Sequence, residues 1–181
     1  MKSNPYISVV IPVYGCRGAL YELYDRLVKT LEIINPSFEI IMVNDACPQN
    51  SWEVIKELAA KDERLRGINL SRNFGQMKAI TAGIDYALGD WVVVMDCDLQ
   101  DPPEEIIRLY QKAVEEEYDV VFARRLARKD IHIKKMTSKV FYKFYNYFTE
   151  LTSVGDISNF SISNRQVMNG YRTIREQNRA F

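Results

Sequence analysis

The chain has 181 residues, 47% of them hydrophobic and 27% charged, enough for one globular domain with a sizeable core. Twenty-four basic residues balance twenty-four acidic ones, so no global field draws nucleic acid to the protein. The single histidine, His132, cannot by itself build a His-centred metal site or a catalytic relay, and neither a signal-peptide pattern nor a bilayer-spanning apolar run is visible.

In chain order, residues 6–14 (YISVVIPVY) read as a buried strand ended by a turn at Gly15. Residues 19–34 have helical spacing, with Leu20, Leu23, Leu27 and Leu31 on one face. A second strand over 39–44 leads to a helix over 51–60 opened by Asn50 or Ser51. A third strand is expected over 65–70, and a helix over 75–88 stopped by Gly89. The fourth strand, 91–95, precedes a helix over 103–116 with proline and acids at its start. Residues 119–123 form a fifth strand. Strand and helix alternate at βαβ spacing, which predicts an α/β fold with a doubly wound, mostly parallel sheet. Beyond Arg124 come a basic loop, an aromatic helix around 134–149, a short strand over 158–163 and a last helical piece.

The strongest chemical signal is WVVVMDCD, residues 91–98. Its apolar run suits a strand buried on both faces, and open α/β sheets bind ligands where such strands end. Asp96 and Asp98, two residues apart on extended backbone, point the same way. They make a hard oxygen site suited to Mg²⁺ or Mn²⁺ carrying a diphosphate, with Asp98 the first choice for direct ligation and Asp96 for ribose or a water-mediated contact. Asp45 ends the second strand, where a carboxylate can take hydroxyls or a base edge; a plain turn aspartate is the competing reading. The segment 71–76 (SRNFGQ) opens a helix and could present backbone N–H groups to an anion, or serve only as a capping loop.

Charge is unevenly spread. Residues 96–119 are acidic, while Arg124, Arg125, Arg128, Lys129, Lys134, Lys135 and Lys139 are set against one acid, Asp130. Arginine forks in that run suit phosphate, against the common alternative of a solvated loop. The aromatic residues around 141–148 circle too much of a helix for one core stripe; a membrane interface, or packing on the domain or a partner segment, would use them. Cys16, Cys47 and Cys97 share no metal spacing, and their odd number argues against a disulfide framework and for a reducing compartment.

Taken together, SVVIPVY, EIIMVNDA, LSRNFGQMKAITAGIDYALGD, VVVMDCDLQDPPE, DVVFARRLAR and REQNRAF resemble the family-2 glycosyltransferases of GT-A fold, and within them the polyprenyl-phosphate glycosyltransferases. The resemblance covers nearly the whole chain and implies a single catalytic domain, with 1–123 binding the nucleotide sugar and 124–181 on the acceptor side. It implies inverting transfer from a nucleoside diphosphate sugar to a polyprenyl phosphate, at the cytoplasmic, inner face of a membrane. Pro12, Tyr14 and Asp45 would surround base and ribose, and Asp96 and Asp98 ribose and metal. Gln100 falls in the acceptor-side segment, and Arg125, Arg128 and Lys134 match positions facing acceptor or donor phosphate. Membrane-anchored relatives continue into hydrophobic helices, so the chain reads as a piece cut before them or as a soluble relative.

The chain departs from the family at Gly15-Cys16, where relatives often have Asn-Glu, and at Asn44, where they usually have aspartate. Asn159 replaces an aspartate before Phe160, which leaves Asp156 as the nearest base or acceptor-positioning group. A hydroxyl acceptor on a polysaccharide or glycan would need that base; a phosphate acceptor is already anionic. Other readings are a nucleotide-binding module that has lost turnover and, more distantly, a nucleotidyltransferase. No G-x-G-x-x-G follows a strand, which disfavours a dehydrogenase. Nucleic acid is not an expected partner, and association of identical copies is compatible with the sequence.

Overall fold

The computed structural model describes residues 4–124 and 157–173. The elements are β1 (Ile7–Val13), a 3-10 turn (Arg17–Ala19), α1 (Leu20–Ile34), β2 (Phe38–Asn44), α2 (Ser51–Lys61), β3 (Leu65–Asn69) and α3 (Gln76–Tyr86). They continue with β4 (Trp91–Val94), α4 (Glu105–Glu115), β5 (Val120–Arg124), β6 (Ile157–Asn164) and α5 (Arg165–Thr173). The described residues up to Phe122 and from Asn159 onward cluster as one compact unit.

The six strands lie in the order β3-β2-β1-β4-β6-β5. β1 runs parallel to both β2 and β4, β2 is parallel to β3, and β6 is antiparallel to β4. The expected α/β, doubly wound and mostly parallel sheet is therefore present, and the strand expected over 158–163 forms as β6. β1 and β2 are buried along their whole length, as strands covered by helices on both faces must be. On one face α3 packs on β1 and β2 and is joined by α5; its core holds Val10, Ile41, Val43, Ile80, Ile84, Val92, Val94 and Met168. α1 contacts both α2 and α4 on the other side. The close fit of α3 depends on Gly83, where a Cβ would overlap the Val10 side chain.

The sheet opens between β1 and β4 for a reason written in β1. The Trp91 and Met95 amides donate to the Tyr6 and Val10 carbonyls, so even-numbered residues of β1 face β4. The next such residue is Pro12, which has no N–H to continue the ladder. Pairing with β4 ends at Val10–Val94, while pairing with β2 continues through Pro12–Val43 to Val13–Asn44. This is also where the chain order reverses across the sheet, the usual place for a ligand crevice in such folds.

Two helix boundaries differ from expectation, and one expected cap makes no side-chain bond. α3 stops at Tyr86, not Leu88, because the Leu88 and Gly89 amides turn inward to Glu39 (2.7 Å) and the Ser8 hydroxyl (2.7 Å). α4 begins at Glu105, with Pro103 in the preceding turn. Asn50 occupies the N-cap of α2 in a left-handed conformation (φ 60°) and makes no side-chain cap bond. The expected basic loop and aromatic helix lie outside the described residues.

Candidate functional site

The ends of β1, β2 and β4 and the loop before α3 enclose a cavity of about 310 Å³. Its walls are Pro12, Val13, Tyr14, Asp45, Asn73, Gly75, Gln76, Asp96, Cys97 and Asp98. Of the residues expected to bind nucleotide sugar, Pro12, Tyr14, Asp45, Asp96 and Asp98 all stand in this one cavity, brought there from positions as far as 86 residues apart by the parallel crossovers. Tyr14 is 53% exposed and offers a flat aromatic face at the rim.

The three carboxylates are held differently. Asp45 is buried, and its two oxygens accept the Phe74 amide at 2.7 Å and the Gly75 amide at 2.9 Å. The anion received by the 71–76 segment is thus the protein's own Asp45, which ties that loop to the end of β2. Gly75 makes this possible with φ +89°, a conformation that side chains rarely adopt. Asp96 is half-buried, and its Oδ1 accepts the Gln76 side-chain amide at 2.6 Å. Asp98 is exposed, and its Oδ1 accepts the Gln100 amide at 3.0 Å, closing a short turn. Leu99 inside that turn has φ +61°, and Ala46 after Asp45 has φ +50°. Two non-glycine residues in left-handed backbone, each directly after a site carboxylate, mark loops held in shape by their surroundings.

The cysteines correct an expectation. Cys16 and Cys97 form a disulfide with Cα atoms 6.0 Å apart, across 81 residues of sequence. The odd number of cysteines argued against a disulfide framework, but pairing is decided by proximity: both follow the ends of neighbouring strands, and the switch in strand order sets their loops side by side. Cys47 is the remaining thiol, buried after β2. Its Sγ accepts the Gly15 amide and the Ser51 hydroxyl, each at 3.2 Å. Burial pushes this thiol's pKa up, but hydrogen bonds from the Ser51 hydroxyl and the Gly15, Gln49 and Ser51 amides outweigh it and leave the pKa below the ordinary value.

Gln100 is exposed and lies outside the cavity wall. Asp156, Arg125, Arg128 and Lys134 lie outside the described residues. Sequence reasoning missed Gln76 as the partner of Asp96. An amide one residue past the helix-opening glycine, level with the end of the neighbouring strand, was the available signal. Asn44, the departure from a second aspartate, is buried and structural: its Nδ2 donates to Asn69 Oδ1 at 2.8 Å and its Oδ1 accepts the Cys47 amide at 3.3 Å.

Among the described residues no cluster of three or more His, Cys, Asp or Glu side chains is gathered for a metal. Asp96 and Asp98 nonetheless fit a hard divalent ion whose remaining ligands are phosphate oxygens and water, since Mg²⁺ and Mn²⁺ are commonly bound through one or two carboxylates plus substrate phosphates. No helix among the described residues is long and apolar enough to cross a membrane.

Residues 8–171 match the sequence profile of glycosyl transferase family 2. The chain is 38% identical over 179 residues to an uncharacterized glycosyltransferase, YkcC, of Bacillus subtilis, covering 98% of this chain and 55% of that protein. It is 44% identical over 135 residues to the undecaprenyl-phosphate 4-deoxy-4-formamido-L-arabinose transferase of Proteus mirabilis, covering 74% of this chain and 41% of the other. The chain thus spans about half the length of the curated relatives it matches. Among solved structures, the mannosyltransferase PcManGT of Pyrobaculum calidifontis, in complex with GDP-Man and Mn²⁺, superposes with a TM-score of 0.62 at 14% identity, over 93% of this chain and 47% of that one. Residues 1–349 of S. aureus TarS give 0.60 at 18% identity, over 91% and 48%. These likenesses establish the shared GT-A fold.

Proposed function

The chain belongs to glycosyl transferase family 2, and from that premise we propose that it transfers a sugar, with inversion, from a nucleoside diphosphate sugar to a polyprenyl phosphate at the cytoplasmic face of a membrane. The observation that carries this reading is that Pro12, Tyr14, Asp45, Asp96 and Asp98 all line one cavity. A base would lie against Tyr14 and Pro12 with its diphosphate reaching the paired aspartates. The undecaprenyl-phosphate transferase named among the relatives supports the acceptor class.

The residues divide the work in a chemically sensible way. The acceptor phosphate oxygen attacks the anomeric carbon from the face opposite the diphosphate. The new carbon–oxygen bond forms as the bond to the diphosphate breaks, which inverts that centre. Such a nucleophile is already ionised, so Asp156 would position the acceptor rather than remove a proton, and Arg125, Arg128 and Lys134 would hold its charge. A Mg²⁺ or Mn²⁺ ion on Asp98 and Asp96 would supply neutralisation of the charge that develops on the departing diphosphate. Gln76 would keep Asp96 aimed at the ribose and metal side, and Asp45 would keep the loop before α3 folded against the donor.

Thermal unfolding with UDP, GDP, dTDP and CMP, with and without Mn²⁺, tests the donor half. Ligand at a hundredfold over its Kd adds roughly 2.7 kcal/mol, a rise of about 5–10 °C at this chain length. One diphosphate is expected to give a Mn²⁺-dependent rise that Asp98→Ala abolishes. No rise with any nucleotide would remove the donor-site assignment. Sugar transfer to undecaprenyl phosphate but not to a glycan hydroxyl would then fix the acceptor class, and Asp98→Ala should lower that transfer roughly a hundredfold to a thousandfold.

A further inference from the structure

The Asp96–Asp98 pair is interrupted by one residue, and that residue is covalently tied to the other side of the crevice. Backbone pairing between β1 and β4 ends at Val10–Val94, and the Met95 amide makes the last bond across at 3.2 Å. Beyond it the two strand ends part around the cavity, and the Cys16–Cys97 bridge joins them again. Cys97 is buried, and pinning it fixes the backbone that carries both flanking carboxylates. The neighbouring Leu99 is held at φ +61°, a conformation that persists only where the surroundings over-determine it. Cys16 stands in the loop after β1, and Cys97 lies between the two aspartates after β4.

We propose that Cys16 and Cys97 are a redox-modification site that sets the affinity of the donor cavity: the bridged form holds a metal–nucleoside diphosphate tightly, and the dithiol form holds it weakly. The inference rests on the donor-site reading given above. At a cytoplasmic membrane face a disulfide meets a reducing thiol pool, where such bonds are transient or sensing rather than permanent staples. The reductant is a dithiol. One of its thiolates attacks a sulfur of the bridge, the other cysteine leaves as a thiolate and takes a proton, and a mixed disulfide remains. The second thiol of the reagent closes onto the first, releasing the remaining cysteine. Two electrons and two protons have then passed to the protein, and the reagent leaves as its disulfide. A low-molecular-weight disulfide runs the exchange in reverse. Opening the bridge lets residues 97–100 leave their strained turn, so the two carboxylates must be re-ordered on each binding event. Lost preorganisation of this kind should weaken binding about tenfold.

The test uses the whole chain carrying Cys47→Ser, so that the bridge alone reports. Alkylation and mass measurement should count no thiol after treatment with oxidised glutathione and two after dithiothreitol. Calorimetric titration with Mn²⁺ plus UDP or GDP should give a Kd about ten times higher for the reduced form, reversed on reoxidation, with both forms melting cooperatively. The same titration on a Cys16→Ser, Cys97→Ser variant should give the weaker value whatever the redox treatment. Two thiols surviving the oxidant, equal affinity in both forms, or a reduced form that no longer melts cooperatively would each overturn the proposal while leaving the donor site standing. Absence of nucleotide binding to either form would overturn the donor-site reading, and this proposal with it.

Discussion

Where β1 and β2 begin, the buried Glu39 carboxylate collects the Ser8 hydroxyl at 2.6 Å, the Leu88 amide at 2.7 Å and the Arg66 guanidinium at 2.5 Å. Where the same strands finish, Asp98 stands exposed with the Gln100 amide on one oxygen, and Asp96 is steadied by a side chain from a neighbouring helix. The two ends are made of the same chemical groups put to opposite uses. A buried acid surrounded by donors is finished, because any further ligand would have to displace one of them. Asp98 at the open end faces solvent, where a ligand can reach it without displacing a ring of buried donors. Parallel strands make this polarity available to every crossover fold, and Pro12 sharpens it here by ending the β1–β4 ladder early.

Breaking the closed end should have the larger energetic effect and leave the open end untouched. Glu39→Ala removes the acceptor of the Leu88 amide and of the buried Ser8 hydroxyl and leaves Arg66 without its carboxylate. The expected cost is about 3 kcal/mol, or roughly 6–12 °C in thermal midpoint for a chain of this size. Nucleotide affinity, measured below the transition, should stay at the wild-type value. A matched loss of nucleotide affinity would mean that the two ends are not separable.

The contrast between the ends also explains what could be read in advance. β1, β2 and β4 were legible because burial on both faces demands an unbroken apolar run, and the run itself shows which carboxylates it delivers: Asp45, Asp96 and Asp98. The sealed end was much less visible. Glu39 in a buried strand looks like an error until Arg66 and the turn at Leu88-Gly89 are in place, and those lie 27 and about 50 residues away. The Cys16–Cys97 bridge was hidden for the same reason, since counting cysteines ignores the strand order that brings two of them together. Gln76 escaped because an exposed amide at a helix start has many ordinary explanations, and only the placement of Asp96 beside it singles it out.

Gln76 permits a finer test at the open end. Its side chain is exposed, so Gln76→Ala should change stability little, while Asp96 loses the amide that holds Oδ1 at 2.6 Å. Affinity for the metal–nucleotide is expected to fall by about threefold to tenfold, less than for Asp98→Ala, because the carboxylate itself remains. Gln76→Glu should be worse than alanine, since it sets a second negative charge against Asp96. If glutamate binds nucleotide as well as wild type does, Gln76 does not position Asp96 in solution.

The smallest effect lies again at the closed end and is lost in acid. Asp62, in the turn before β3, accepts two bonds from the Arg64 Nε at 3.0 and 3.1 Å and one from its Nη2 at 2.9 Å. It also accepts the Arg64 amide at 2.9 Å and the Tyr24 hydroxyl at 2.7 Å. The Arg64 guanidinium is the main cause that lowers its pKa from 3.8 to about 2, against an opposing contribution from burial. The folded state therefore binds the Asp62 proton less readily than the unfolded chain does. The resulting stability is fully present above pH 3.8 and is lost as the pH falls through about 2. Arg64 is one-third exposed, so solvent screening brings the contribution down to about 1 kcal/mol. Denaturant melts of wild type and Asp62→Asn should differ by that amount at pH 6 and converge near pH 2, because protonation does to the wild type what the substitution has already done. A gap that persists at pH 2 would show that the asparagine disturbs packing in the turn, and that the ion pair is not what holds this corner of the sealed end.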